Sequence, residues 1–169
     1  MASRPTSETS SKSSTSSAES AGDIRAHSAV HVVKGAVAKT FGPRRITSAS
    51  STEAGIGRLA IQLENKPTAQ ETADIEKAAN GKVGDDAEFI EFEMEREEAE
   101  GHFGKGIHGF TSVREEGILL RMVRIPDWEA SSCRRRHVQS TAEVGQLRFD
   151  RIQFDDSKKE LELQFRPLR

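Results

Sequence analysis

Two short words in the sequence carry metal-binding residue types, HSAVH with His27 and His31, and CRRRH with Cys133 and His137. Residues four apart share one side of a helical turn, so the spacing predicts that each word presents two donors to a common point. Neutral imidazole and thiolate donors suit zinc, and four of them fill a tetrahedral shell. Together the words read as a single zinc site. Cys133 is the only cysteine of the chain. It has no partner for an internal disulfide, which fits a reducing compartment and leaves the thiol available as a ligand.

Other metal chemistries fit the words less well. An H-E-x-x-H metalloprotease needs its general base directly after the first histidine, where Ser28 stands, and the inverted H-x-x-E-H form needs Glu where Val30 stands. Both patterns argue against peptide hydrolysis. A buried, inert cysteine is the bland alternative for Cys133, but Ser131, Ser132, Arg134, Arg135 and Arg136 are poor company for one. His102 and His108 have no partner at ligand spacing and read as loop residues. The stretch Gly101 to Gly109 lacks the strand-loop-helix order of a nucleotide cradle, so no nucleotide cofactor is expected.

The elements that must position these residues follow from the apolar pattern. Val30, Val33, Val37 and Phe41 recur at helical spacing, which predicts an amphipathic helix from His27 to about Thr40, stopped by Gly42-Pro43, with both histidines displaced from the apolar stripe. A Ser/Thr-rich loop then leads to a strand at Ile56 to Leu63. Thr68 and Glu71 form a capping-box pattern for a second helix running to about Val83, with Ile75, Ala78 and Ala79 on its apolar face. A strand at Ala87 to Glu93 and a short charged helix at Met94 to Glu100 precede the most apolar run, Ile118 to Ile125, expected as a central strand. Gln146 to Phe154 and Leu161 to Phe165 predict a terminal hairpin across Asp155 to Lys158, with a bulge near Asp150 where the alternation slips phase. Helices and antiparallel strands without regular βαβ alternation place the chain in the α+β class: a mostly antiparallel sheet packed with two main helices.

The 169 residues allow one ordinary domain with a tail. Residues 1–24 are Ser-rich and almost free of large apolar side chains, so they are expected to be disordered, with the domain spanning 25–169. Glu8, Glu19 and Asp23 argue against a transit peptide, and no run is apolar enough for a membrane span, so a soluble, cytoplasmic protein is expected. The net charge of −2 decides nothing about nucleic acid. Its distribution says more, because base gathers at Lys34 to Arg45 and at Arg134 to Arg136, beside the ligand words, while acid gathers at Asp85 to Glu100. Arginines there read either as a solvated run or as bidentate phosphate contacts.

HSAVHVVKGAVAKTFG resembles the first zinc-binding helix of the editing domain of alanyl-tRNA synthetases and their free-standing relatives, and IPDWEASSCRRRHVQSTAEVGQLRF resembles its second metal segment. Over roughly Arg25 to Arg169 the chain is similar to the short free-standing editing proteins, the AlaX short form. Threonyl-tRNA synthetase has a related domain with comparable motifs. The resemblance implies zinc held by His27, His31, Cys133 and His137, between the first helix and the C-terminal strand region. It implies hydrolysis of serine, with glycine as the second candidate, from mischarged tRNA(Ala). Thr47 and Ser50 fall where the family lines its amino-acid pocket, and Val30 falls where many members carry Thr. Lys34, Arg134, Arg135 and Arg136 are the candidate tRNA phosphate contacts, and Glu143 is a candidate base or turn residue.

The sequence departs from the family at two words. The usual T-G-E-I-G is Thr141-Ala142-Glu143-Val144-Gly145 here, awkward for Ala142 if that position needs positive φ. The C-G-G-T-H of synthetases is CRRRH. Editing of this kind answers a discrimination problem, because a pocket for alanine excludes glycine and serine poorly, whereas a site that hydrogen-bonds serine's hydroxyl can reject alanine by about 10⁴ or more. Four protein ligands close a tetrahedral shell, so zinc activating water, zinc polarising the ester and zinc positioning the substrate's amino group all stay open. Two other classes remain: a non-catalytic zinc-stabilised RNA- or protein-binding domain, and a zinc hydrolase of another small ester or amide. Monomer and homodimer are both compatible with the sequence.

Overall fold

The computed structural model describes residues 19–43, 45–52, 54–104, 119–128 and 130–168. Most of the expected tail lies outside these residues, as does the expected glycine-rich loop beyond Gly104, with His108.

The first helix, α1 (Ala21–Phe41), starts well before His27. The Ser20 hydroxyl accepts the Asp23 N–H and the Asp23 carboxylate accepts the Ser20 N–H, a reciprocal cap that satisfies two donors left open at a helix start. The extra turn has tertiary support, since Arg25 donates to the main-chain carbonyls of Val144 and Leu168. Residues 21–24 therefore belong to the fold and not to a tail. At the other end Gly42 supplies the expected stop, with φ of 87° and its N–H on the Ala38 carbonyl.

A second correction concerns the faces of α1. Instead of one stripe, Ala26, Ser28, Ala29, Val30, Val32, Val33, Ala36 and Val37 are all buried. The helix is packed from several sides by α2 (Ala69–Gly84), by the larger sheet and by a 3-10 turn at Thr141–Val144. Its small side chains permit that close approach. The helix α2 carries the expected Thr68/Glu71 capping box, and Ile75 and Ala79 are buried against α1.

The larger sheet has the order β1-β2-β7-β6, all antiparallel, from β1 (Ile46–Ser51), β2 (Gly57–Gln62), β6 (Leu147–Asp155) and β7 (Glu160–Pro167). The Ser/Thr-rich segment expected as a loop is thus the strand β1. It lies at the sheet edge, where only Ile46, Ala49 and Ser51 need partial burial, so a strongly apolar sequence is not required. The β6/β7 hairpin slips register between Phe149 and Arg151, the bulge the phase change predicted. Leu59, Ile61, Leu161, Leu163 and Phe165 form the core face against α1.

A separate three-stranded sheet orders β3-β4-β5, from β3 (Ile90–Glu95), β4 (Leu119–Arg124) and β5 (Ser131–Ser132), with α3 (Arg96–Phe103) following β3. The apolar run is its central strand. One sheet was expected and, among the described residues, two form, because β3 and β4 pair with each other and pack on a smaller cluster around Ala99, Leu120, Met122 and Ala130. The α+β class stands.

Gly35 on α1 lies flat against the Trp128 ring, and a methyl group there would overlap the indole. Gly35→Ala should destabilise by about 1–3 kcal/mol through overpacking. The urea midpoint and the emission of Trp128, the only tryptophan, read it together. An unchanged midpoint and spectrum would contradict this packing.

Candidate metal centre

The four predicted ligands converge. The Nε2 atom of His31 lies 3.2 Å from Nε2 of His27 and 3.2 Å from Nε2 of His137, and His27 Nε2 lies 3.1 Å from Cys133 Sγ. All four donor atoms fall within 4.8 Å of one another. Zinc with arms of about 2.0–2.1 Å to nitrogen and about 2.3 Å to sulfur has donor-to-donor edges of roughly 3.3–3.7 Å, so the cluster fits such an ion once the short contacts open slightly and the widest separation, up to 4.8 Å, closes.

The two halves are built differently. His27 and His31 sit on successive turns of α1, as their spacing predicted. Cys133 and His137 do not form a helical turn; they lie in irregular backbone between β5 and the 3-10 turn. That segment is shaped by tertiary hydrogen bonds. The Cys133 N–H donates to the Arg121 carbonyl of β4 at 2.9 Å, and the Val138 N–H donates to the Ser28 hydroxyl at 3.0 Å. Ser28 in turn donates to the Ile24 carbonyl at 2.7 Å, so the residue standing where a protease would carry glutamate fastens the ligand segment to α1. Beyond it, Phe89 donates its N–H to the Gln139 carbonyl and Thr141 to the Ala87 carbonyl.

Burial sets the protonation states. It holds His27 down to about 3, helped by the Arg135 charge, and pushes His31 well below its ordinary value. Burial also lowers His137, against the pull of Glu91. The Cys133 thiol is pushed up by burial, although the Arg135 backbone N–H and the Lys34 charge oppose this. Near neutral pH the apoprotein therefore offers three neutral imidazoles and a thiol still holding its proton.

The other predicted residues separate into groups. Lys34 is mostly enclosed beside the cluster, its ammonium lowered by burial and favoured only by Cys133, so its place is next to the sulfur and not on an open surface. Arg135 donates to Glu19 at 2.7 Å and to the Ser51 hydroxyl at 3.2 Å. Arg134 and Arg136 are exposed. Val30 is a core residue at 5% exposure. Thr47 turns its hydroxyl to the Ala60 carbonyl and the Glu160 carboxylate, and Ser50 is exposed on β1; neither lines the cleft described next. Glu143 is exposed on the 3-10 turn. Ala142 is absent from the described residues of positive φ, and Gly145, with φ of 76°, takes the left-handed position of that word.

Beside the cluster a cleft of about 1460 Å³ runs between α1 and α2, and His31 and Lys34 form part of its wall with Gly35, Trp128 and Ser131. Sequence reasoning missed Glu91, whose carboxylate oxygen lies 2.8 Å from His137 Nδ1, and Glu19 beside His27. Glu91 comes from a segment read as a strand and Glu19 from the Ser-rich segment, and neither stands at ligand spacing.

No protein-family model matches the chain. The chain is similar to alanine–tRNA ligases: 32% identical over 133 residues to that of Methanococcus aeolicus, 30% over 134 residues to that of Metallosphaera sedula, and 29% over 134 residues to that of Saccharolobus islandicus. Each alignment takes in 77% of this chain and 14% of the ligase. The chain is thus related to a short segment of these much longer enzymes.

Since the imidazoles have already lost their protons and the thiol still holds its own, binding zinc near pH 7 should release about one proton. Calorimetry in buffers of different ionisation enthalpy measures this, and release near zero would contradict the assigned states. His31→Ala and Cys133→Ala should each lose zinc, and full occupancy in both by metal analysis would remove the ligand assignment.

Proposed function

We propose that this protein is a zinc-dependent aminoacyl-tRNA deacylase that clears mischarged tRNA(Ala) in trans, with serine esters as the main substrate and glycine esters as the second. The observation that carries the reading is the contact between the four-donor cluster and the α1/α2 cleft through His31 and Lys34. A purely structural zinc shell would have no need of such an opening. The similarity to alanine–tRNA ligases supports alanine tRNA as the nucleic acid. The editing domain would take in residues 25–169 together with the first turn of α1 from Ala21, preceded by a Ser-rich segment. No helix among the described residues is long and apolar enough to cross a membrane; we place the protein in the cytoplasm, as monomer or homodimer.

His27, His31, Cys133 and His137 would hold the ion. When bound, zinc supplies Lewis acidity toward the ester carbonyl or toward water, or an anchor for the substrate's amino group. The chain's own groups do the rest. Burial around His31 and His137 keeps the imidazoles unprotonated and the local dielectric low, which strengthens every electrostatic contact made with the ester. Lys34 presents a nearly enclosed ammonium at the cleft wall, where it can attract the ester carbonyl oxygen as negative charge develops. The exposed Arg134 and Arg136 meet the acceptor-stem phosphates, and Thr47 and Ser50 remain our candidates for reading the serine hydroxyl.

Incubating the zinc-loaded protein with Ser-, Gly- and Ala-tRNA(Ala) tests the reading. Ester loss should be fast for serine, slower for glycine and negligible for alanine; stable Ser-tRNA(Ala) with zinc fully loaded would refute it. Arg134→Glu and Arg136→Glu should weaken tRNA binding and each reduce the salt slope by roughly one phosphate contact. Arg135→Glu should act differently, because it also breaks the Glu19 and Ser51 contacts. Unchanged affinity and slope at 134 and 136 would leave that face a solvated surface.

A further inference from the structure

Among the described residues, His137 is the ligand whose second ring nitrogen is held by a carboxylate. Glu91 Oε1 lies 2.8 Å from His137 Nδ1, and the His137 side chain is 1% exposed. A carboxylate accepts only, so Nδ1 carries the ring proton and the lone pair is at Nε2, the atom facing the other donors. Glu91 is itself fixed. Its other oxygen accepts from Arg121 at 2.6 Å, a cross-strand diagonal contact between β3 and β4. The second guanidinium nitrogen of Arg121 donates to the Arg134 carbonyl at 3.4 Å, within the ligand segment, and the Arg121 carbonyl accepts the Cys133 N–H. Phe89 stacks on the His137 ring with centroids 5.7 Å apart and an interplanar angle of 11°, which limits rotation of the imidazole.

We infer that Glu91 is a positioning residue for the metal, holding His137 in one tautomer and one orientation while Arg121 ties that carboxylate to the backbone of the Cys133 segment. The smaller sheet would then be the frame of the second ligand pair, as α1 is of the first. A half-exposed Glu91/Arg121 ion pair by itself contributes little to stability. A carboxylate behind a ligating imidazole, by contrast, raises its basicity and removes wrong orientations, and loss of such a partner costs about 10–100-fold in metal affinity.

The inference rests on the metal-centre reading above, and the experiment separates the two. Zinc affinity is measured by competition with a chromophoric chelator for the unaltered full chain, Glu91→Gln, Glu91→Ala and Glu93→Ala, the last an exposed carboxylate on the same strand. Glu91→Ala should bind zinc about 10–100-fold more weakly, with Glu91→Gln between it and the unaltered chain because the amide oxygen still accepts the Nδ1 proton. Glu93→Ala should bind normally, and the thermal midpoint of apo Glu91→Gln should match that of the unaltered apoprotein. Cobalt-loaded Glu91→Gln should keep the thiolate charge-transfer band while its ligand-field bands shift. Equal affinity and an identical cobalt spectrum in both Glu91 variants would overturn the inference. If Glu91→Ala does not fold, the glutamine variant alone decides by the same criteria. An unaltered chain that takes up no zinc would overturn the metal assignment and this inference with it.

Discussion

The structure depends on bringing three imidazoles and a thiol, from segments far apart in the chain, into one mostly buried cluster. Burying polar groups is costly unless each finds a partner, and nitrogen lone pairs about 3 Å apart repel unless a proton or a cation lies between them. Burial has already driven the histidines toward neutrality, so protons are an expensive solution. A divalent ion would resolve the crowding and stitch α1 to the segment between β5 and β6. Much of the surrounding architecture serves that junction: the Ser28 bridge to Val138, the Arg121 carbonyl under Cys133, and the Ala87 to Phe89 backbone paired with Gln139 and Thr141.

The same constraint accounts for the polarity of the site. One side of the cluster is sealed by core packing, with Phe89 stacked on His137. The other side meets the cleft through His31 and Lys34. A basic residue at that boundary would draw an anion or a polarised carbonyl toward a bound metal, whereas the arginines of the ligand word, all exposed, divide between Arg135, paired with Glu19, and Arg134 and Arg136. The run of three arginines is therefore not a uniform phosphate-binding patch.

Much of this was legible in the residues. The four-donor cluster was readable because donor type and spacing are local, and α2 was readable because Thr68, Glu71 and Ile75 encode its cap and buried face within two turns. The hairpin bulge showed as a slip in alternation at Asp150. What local pattern could not carry was anything decided by a distant partner. The start of α1 depends on Arg25 reaching the carbonyls of Val144 and Leu168. The strand β1 exists because β2 supplies its hydrogen bonds, so a sequence as polar as ITSASS suffices. Cys133 and His137 share helical spacing yet take an irregular path, because β4 and α1 supply the hydrogen bonds a helix would have made internally. Glu91 carries no ligand spacing at all; only the β3/β4 pairing reveals its role.

The central claim is that His27, His31, Cys133 and His137 bind a single zinc ion, and X-ray absorption at the zinc edge of the purified, zinc-loaded protein tests it most directly. The account predicts one sulfur at about 2.3 Å and three nitrogens at about 2.0–2.1 Å, with imidazole multiple scattering. A shell of oxygen donors without sulfur, or a protein that retains no zinc on gel filtration, would contradict it.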